Sequence, residues 1–264
     1  MPDDSFREIR LLLSSTKPAD VDRGLQLAGI EIVKVGRGEA RPLFDIILTL
    51  FYIDTFDHPE LVPAIDKAIT LIAGFGPWII PTLIENLDAG DIKAQWAIAN
   101  VLGRIGEDAI QPLLKEYASS TNPTLRAFIL YALGKVKSPR IEHAAAVALD
   151  AAQSSNLELR DTATRSLGKF IESIPPGSLS KEQKRQFVEC LRGNLSDPNA
   201  GIRSKAVRSL GKMAKYGHLT ESERGQLKAV CRHIIGVDEH GDWDRAFVVR
   251  KEAEEALRHL GYGD

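Results

Sequence analysis

The sequence predicts an all-α fold in which about seven antiparallel helix pairs stack into a right-handed solenoid. Three observations lead to this prediction. A short phrase, Leu-Gly followed by Lys or Arg, recurs at 102–104, 133–135, 167–169 and 210–212. Apolar or small residues precede each phrase at the spacing of a helix with one buried face. The 264 residues show almost no alternation of apolar and polar residues of the kind typical of β-strands. The distance between successive copies of the phrase is typical of stacked helical units.

The first third of the chain is less regular but still helical in pattern. Helices are predicted near 6–13, 21–35, 40–52 and 61–73. Pro18, Gly36, Gly38 and Pro59 separate them, because proline and glycine interrupt helices.

From residue 77 onward, each repeat contains two predicted helices. The first helices are expected near 79–87, 110–117, 141–152, 183–195 and 223–235. The second helices follow residues whose side chains cap helix N-termini, namely Asp91, Asn122, Asn156 and Asn199. In the last repeat, Asp242 or Asp244 is the expected cap.

The repeated pattern of Pro-x-Leu, a polar turn and apolar-Arg-x-x-Ala-x-x-Ala-Leu-Gly resembles the HEAT repeat. It is most similar to the HEAT-like units named after bacterial phycobilisome (bilin) lyases. The resemblance is clear over 77–260 and degraded over 1–76, so we expect one solenoid domain over 1–264. HEAT-type proteins include scaffolds, assembly factors, chromophore lyases, DNA glycosylases and a di-iron hydroxylase. The resemblance therefore implies the HEAT-like superhelix but not the activity.

The start of four successive second helices carries an arginine, which the helix dipole disfavours at that end. These residues are Arg126, Arg160, Arg203 and Arg250. Six residues before each lie Ser120, Ser154, Asp197 and Asp244, in the turn between paired helices. The guanidinium fork can bond turn carbonyls and carboxylates. The resemblance implies a structural polar ladder between repeats, with a ligand role as the alternative.

Composition excludes several classes of protein. Hydrophobic residues make up 44% and charged residues 27% of the chain, and the net charge is −2. These values exclude a disordered polyampholyte and a collagen-like chain. Two cysteines indicate a reducing compartment, and no apolar stretch is long enough to span a bilayer. With an acidic N-terminal segment that lacks a signal-peptide pattern, we expect a cytoplasmic protein with no membrane partner.

The sequence predicts no catalytic residue, no metal site and no cofactor. The hydroxylase group is recognised by His-Glu dipeptides, whereas this chain has only the reverse order, Glu142-His143 and Glu239-His240. The acidic loop 238–244 lacks the spacing of a calcium loop. Cys190 and Cys231 lie in apolar helical stripes, as buried cysteines do.

A partner-binding surface is predicted on the second helices, on the side opposite their buried stripe. Residues spaced by four share one side of a helix. The predicted concave groove carries Trp96, Arg104, Tyr131, Lys135, Arg165, Lys169, Arg208 and Lys212. Its basic character agrees with the charge distribution, because residues 1–132 carry −6 and residues 133–264 carry +4.

We expect a non-catalytic scaffold that holds a protein partner, possibly one with an acidic surface, in this groove. One alternative is a chromophore-attachment enzyme or subunit of the bilin-lyase type. A second alternative is a nucleic-acid-binding HEAT-like protein. A sequence pI near 6.3 argues against nucleic acid, whose binding domains often exceed about 9.

Overall fold

The computed structural model describes residues 2–88, 91–239 and 241–261. These residues form fourteen α-helices and six short 3₁₀ segments, and they contain no β-strand. The predicted all-α fold class is confirmed. The chain divides into two compact units, Met1–Pro112 and Leu113–Asp264. Its organisation as one continuous domain over 1–264 stays a prediction.

The first unit contains six complete helices. They are α1 (Pro2–Leu13), α2 (Pro18–Val35), α3 (Arg41–Leu48), α4 (Val62–Ala73), α5 (Ile80–Leu87) and α6 (Ile92–Ile105). Helix α1 packs on α2, α2 packs on α4, and both α4 and α5 pack on α6. Buried Phe44, Phe51 and Phe75 contribute to the core. The helix predicted over 40–52 ends at Leu48 and continues as a 3₁₀ segment, Thr49–Tyr52.

Helix α7 (Ile110–Ser119) includes the boundary between the units, and seven helices follow it. They are α8 (Pro123–Leu133), α9 (Ala145–Ala151), α10 (Leu157–Ile171), α11 (Lys181–Gly193), α12 (Ala200–Lys215), α13 (Glu221–Ile235) and α14 (Phe247–His259). Helix α9 is shorter than predicted, because residues 139–144 form a 3₁₀ segment before it. The second helices α8, α10, α12 and α14 pack consecutively, and α9, α11 and α13 pack against α10, α12 and α14.

Polar side chains fix where the second helices begin. The four predicted caps each accept hydrogen bonds from the first turn of α6, α8, α10 and α12, so these predictions are confirmed. The cap predicted for α14 is wrong, because that helix begins after Ala246, which has no capping side chain. Asp244 Oδ1 instead accepts the N–H of Ala246 at 2.8 Å and shapes the turn before the helix.

The repeated glycine allows consecutive second helices to approach closely. A Cβ at Gly168 in α10 would lie 2.9 Å from the Cβ of Ser209 and 3.1 Å from its Cα, both in α12. A Cβ at Gly211 would lie 3.0 Å from the Cβ of Ala256 in α14. The Ser209 hydroxyl donates to the Thr164 carbonyl at 3.1 Å, so the close contact also satisfies a buried polar group.

We predict that Gly168→Ala lowers the free energy of unfolding by about 1–3 kcal/mol, the usual cost of overpacking a core contact. Gly225→Ala is the matched control, because Gly225 is an exposed residue inside α13 with nothing within 4 Å of an added Cβ. There we expect a gain of about 0.5–1 kcal/mol from the higher helix propensity of alanine. Urea unfolding of both variants measures the difference, and equal effects would contradict the close approach.

Candidate functional site

Arginines at the start of α10 and α12 connect consecutive turns. Arg160 donates from Nη1 to the Ser154 carbonyl at 2.6 Å and from Nε to Asp197 Oδ2 at 2.7 Å. Arg203 does the same one repeat later, bonding the Asp197 carbonyl at 2.9 Å and the two Asp244 carboxylate oxygens at 2.7 and 2.9 Å. We call Arg160, Asp197, Arg203 and Asp244 the arginine ladder. Its bonds compensate for the unfavourable position of a cation at a helix N-terminus.

The two ends of the arginine column have different contacts. Arg126 donates to the Tyr117 carbonyl at 3.2 Å, and its guanidinium lies 4.9 Å from the centroid of the Tyr117 ring. Arg250 donates to the Asp244 carbonyl at 2.7 Å. Arg160, Arg203 and Arg250 therefore bond carbonyls of their own turn, whereas Arg126 bonds a carbonyl in the last turn of α7. The carboxylate contacts to the next turn involve Arg160 and Arg203.

The turn residues that precede the four arginines of the column also shape the backbone. The side chains six residues before the arginines each accept the N–H two residues later, and they are Ser120, Ser154, Asp197 and Asp244. Burial raises the pKa of Asp197, but bonds from Arg160 and the backbone outweigh burial and hold that pKa below its usual value. The bond from Arg203 is the main cause of the lowered pKa of Asp244. Both carboxylates are therefore charged at neutral pH.

Two of the predicted surface residues lie in the first unit. Arg104 bonds the carboxylate of Asp66 and the hydroxyl of Thr70, and it donates to the Asp66 carbonyl at 3.1 Å. These contacts tie Arg104 to α4. Trp96 is 53% exposed on α6.

Trp96 borders an open groove of about 330 Å³ within the first unit. The groove lies between residues 51–56, α4 and α6, and its apolar lining includes Phe51, Phe56, Ile65, Ile69, Ile92 and Trp96. We call this feature the Trp96 groove. Sequence reasoning placed Trp96 on the partner surface but missed Phe56, because residues 53–58 lie outside the helical repeat.

In the second unit, one aromatic ring lies close to two cations. Lys135 Nζ lies 4.9 Å from the centroid of the Tyr131 ring, and the Arg165 guanidinium lies 5.5 Å from it. Cations at this range are attracted by the electron-rich face of an aromatic ring. In the part of the chain that the structure describes, neither Lys135 nor Arg165 forms an ion pair with a carboxylate. We call these three residues the Tyr131 cluster.

A single carboxylate gathers three other lysines of the second unit. Glu172 bonds the ammonium groups of Lys137 and Lys169 at 2.9 Å each and that of Lys212 at 2.7 Å. Burial alone would raise its pKa, but the three lysines outweigh burial and lower the pKa of Glu172 to about 2. Glu172 therefore neutralises part of the positive charge on this surface.

Arg208 and Lys212 also lie in pairs rather than as open cations. Arg208 bonds the carboxylate of Glu252, with one N–O distance of 2.8 Å. The pKa of Lys212 is lowered overall, mainly by burial and further by the nearby cations Lys169 and Arg208. The bond to Glu172 acts in the opposite direction but does not outweigh them. Glu172 is stabilised by several cations, whereas Lys212 is both desolvated and repelled.

The predicted cations of the second unit therefore fall into two groups. Lys169, Arg208 and Lys212 contact Glu172 or Glu252, while Lys135 and Arg165 flank Tyr131. Sequence reasoning missed both glutamates. The sequence did contain a signal for the contact between Lys169 and Glu172. Glu172 lies three residues after Lys169, and side chains at that spacing can form an ion pair on a helix.

The two cysteine thiols are buried and are not activated. Cys190 and Cys231 are buried, as predicted, and burial raises the pKa of their thiols to about 11 and about 12. Thiols with such values are not nucleophiles at neutral pH. No group of three or more His, Cys, Asp or Glu side chains suited to a metal ion occurs among the described residues. His240, in the acidic loop 238–244, lies outside them.

No single helix in the described part of the chain is both long enough and apolar enough to cross a membrane. Two consecutive helical segments, Pro59–Ala73 and Pro77–Leu87, meet the length and composition criteria only together, and the chain bends by 101° between them.

Comparison with known proteins supports the repeat assignment. Residues 80–168 match the sequence model of HEAT repeats, so the predicted HEAT-type pattern is confirmed over this stretch. The fold is similar to a chain of the CpcE–CpcF complex of phycocyanin lyase from Nostoc sp. PCC7120, with 23% identity and a TM-score of 0.53. The match covers 68% of this chain and 98% of that one.

An engineered protein is similar at 17% identity and a TM-score of 0.51, over 98% of this chain and 96% of that one. No curated protein matches the chain in sequence. At these identities the structural matches establish the fold, a HEAT-like stack of helix pairs, which is the class of protein that the sequence resembles.

We predict that Arg160→Ala and Arg203→Ala each lower the free energy of unfolding by about 1–3 kcal/mol, because their partly buried partners lose a donor. Arg185→Ala is the control, since Arg185 forms two ion pairs but its side chain is 58% exposed. Exposed ion pairs contribute little to stability, because solvent screens them. Thermal melts compare the three variants, and a ladder variant as stable as the control would argue against the structural role.

The Glu172 contacts predict a pH dependence of stability. Its pKa is about 2 in the folded protein and 4.5 without these contacts, so its contribution is complete above about pH 4.5. The contribution is lost as the pH falls through the folded value near 2. We expect Glu172→Gln to cost roughly 2–3 kcal/mol at neutral pH and progressively less toward pH 2.

Glu254→Gln is the control for this measurement, because Glu254 is exposed and lies in no ion pair among the described residues. Urea unfolding across the pH range gives the difference. A constant cost of Glu172→Gln at every pH would show that the carboxylate is not held in its charged form.

Proposed function

We propose that the chain is a non-catalytic scaffold that binds a protein partner on the exposed side of its second helices. The observation that carries the proposal is the Tyr131 cluster, in which two cations lie close to one aromatic ring and, among the described residues, form no ion pair with a carboxylate. Aromatic and arginine side chains are enriched among residues that dominate binding energy at protein interfaces. The buried, high-pKa thiols are consistent with a binding role.

The chemistry of the cluster favours an acidic partner surface. Lys135 and Arg165 offer donors that can meet carboxylates of a partner, and Tyr131 offers an apolar ring between them. The neighbouring cations Lys169 and Lys212 share Glu172, which limits the positive surface to a small area. A compact positive site with an aromatic centre fits an acidic side-chain cluster on a protein.

Nucleic acid fits this surface less well. A nucleic-acid groove needs cations along a continuous path to follow successive phosphates. Here Glu172 and Glu252 interrupt the predicted row of cations.

The alternative of a bilin-lyase-type enzyme is supported by the shared fold with a phycocyanin lyase chain. Purified protein with visible absorbance from a bound chromophore would favour that alternative.

We further propose a cytoplasmic location, in keeping with two unpaired cysteines.

The test is a double charge reversal, Lys135→Glu with Arg165→Glu. The wider reversal of Arg165, Lys169, Arg208 and Lys212 would also break the contacts to Glu172 and Glu252, so it would confuse binding with stability. We expect the double variant to melt normally and to lose an acidic partner that the parent captures in pulldowns followed by mass spectrometry. Binding by the parent should weaken as salt rises.

The matched control makes the same change in charge on two first helices of the second unit. Lys115→Glu with Lys181→Glu alters exposed lysines of α7 and α11. This control should keep the partner. If the double variant of the Tyr131 cluster keeps the partner as well as the control does, the proposed surface is not the binding site.

A further inference from the structure

The Trp96 groove of the first unit presents large apolar side chains to solvent. Phe56 is 93% exposed, Ile92 is 57% exposed, and Trp96 is 53% exposed. Monomeric proteins rarely expose several large apolar groups around one depression unless it binds something. The groove floor is formed by Phe51 and Ile69, which are buried, so an apolar side chain entering it would meet a packed apolar surface.

The volume of the groove sets the size of its ligand. At about 330 Å³ it lies at the small end of the range for ligand pockets. It can therefore take one or two large side chains of a peptide segment.

The rim of the groove is acidic. Lys93, the cation on the rim, bonds Asp54 with an Nζ–Oδ2 distance of 2.7 Å. Two further carboxylates belong to residues next to lining residues, because Asp57 follows Phe56 and Asp91 precedes Ile92 in the chain. Their charges, like the bond to Asp54, raise the pKa of Lys93. Lys93 and Asp54 neutralise each other, so Asp57 and Asp91 leave the rim net negative. The exposed Asp57 forms no ion pair among the described residues.

From these features we propose that the Trp96 groove binds a peptide segment of a partner protein that carries a large apolar side chain flanked by Lys or Arg. The apolar side chain packs against Trp96, Ile92 and Phe56. The flanking cations meet Asp57 and the neighbouring carboxylates. This site goes beyond the proposed function, because it lies in the other unit and selects the opposite charge.

The negative charge of the rim favours a basic peptide over anionic ligands. Phosphates of nucleic acid or of an anionic membrane would be repelled by Asp57 and Asp91. An acidic peptide of the kind proposed for the Tyr131 cluster would be repelled in the same way. The apolar lining gives affinity, and the carboxylates give selectivity for cations.

The probe is a display library of random dodecapeptides, selected on the immobilised full chain. We expect the enriched peptides to combine an aromatic or aliphatic anchor with flanking Lys or Arg. Trp96→Ala should weaken the best peptides about tenfold or more, the effect typical of an aromatic anchor at an interface. Asp57→Lys should weaken them about threefold or more and should reduce the salt dependence of binding.

Two further variants keep the test decisive. Phe56→Ala replaces a side chain with little contact to the fold, so it reports on binding even if Trp96→Ala lowers stability. Trp243→Ala is the control, because Trp243 is an exposed tryptophan of the second unit, and it should leave peptide binding unchanged. The proposal is overturned if no peptide is enriched, if acidic peptides are enriched, or if binding is insensitive to Trp96→Ala and Phe56→Ala. Binding of an oligonucleotide or anionic vesicles that depends on Trp96 would overturn it too.

Discussion

The second unit depends on the close approach of consecutive second helices at the repeated glycine. Because Gly168 has no Cβ, α10 and α12 come close enough for Ser209 to bond the Thr164 carbonyl. The same approach recurs at Gly211 against Ala256. With the helices at this spacing, arginines at one end reach the carboxylate of the next turn, and lysines at the other end share a glutamate. Packing and charge thus fix the same register between helices.

Once these contacts are made, each unit retains a different surface. The Tyr131 cluster of the second unit keeps two cations around an aromatic ring, whereas the Trp96 groove of the first unit combines exposed apolar side chains with carboxylates. Opposite charges on the two surfaces would allow the chain to distinguish between partner segments.

Local pattern predicted the helices well, because apolar spacing and capping residues act over one or two turns. Asn156 and Asn199 cap their helices as the sequence indicated, and the arginine column was identified from its unfavourable position. The role of Glu172 was not predicted, since two of its three lysines come from other repeats. Phe56 was missed because its loop has no period. Asp244 was mistaken for a cap, whereas its carboxylate pairs with the guanidinium of Arg203.

The arginine ladder links consecutive turns energetically once the helices are at this spacing, and a double-mutant cycle on Arg203 and Asp244 measures that link most directly. The cycle compares Arg203→Ala, Asp244→Ala and the double variant with the parent by urea unfolding. Residues in one ion-pair network show coupling energies of about 0.5–3 kcal/mol. We predict a favourable coupling of about 1–3 kcal/mol for this two-point, partly buried pair. Additive effects of the two substitutions would contradict an energetic link between consecutive turns through the ladder.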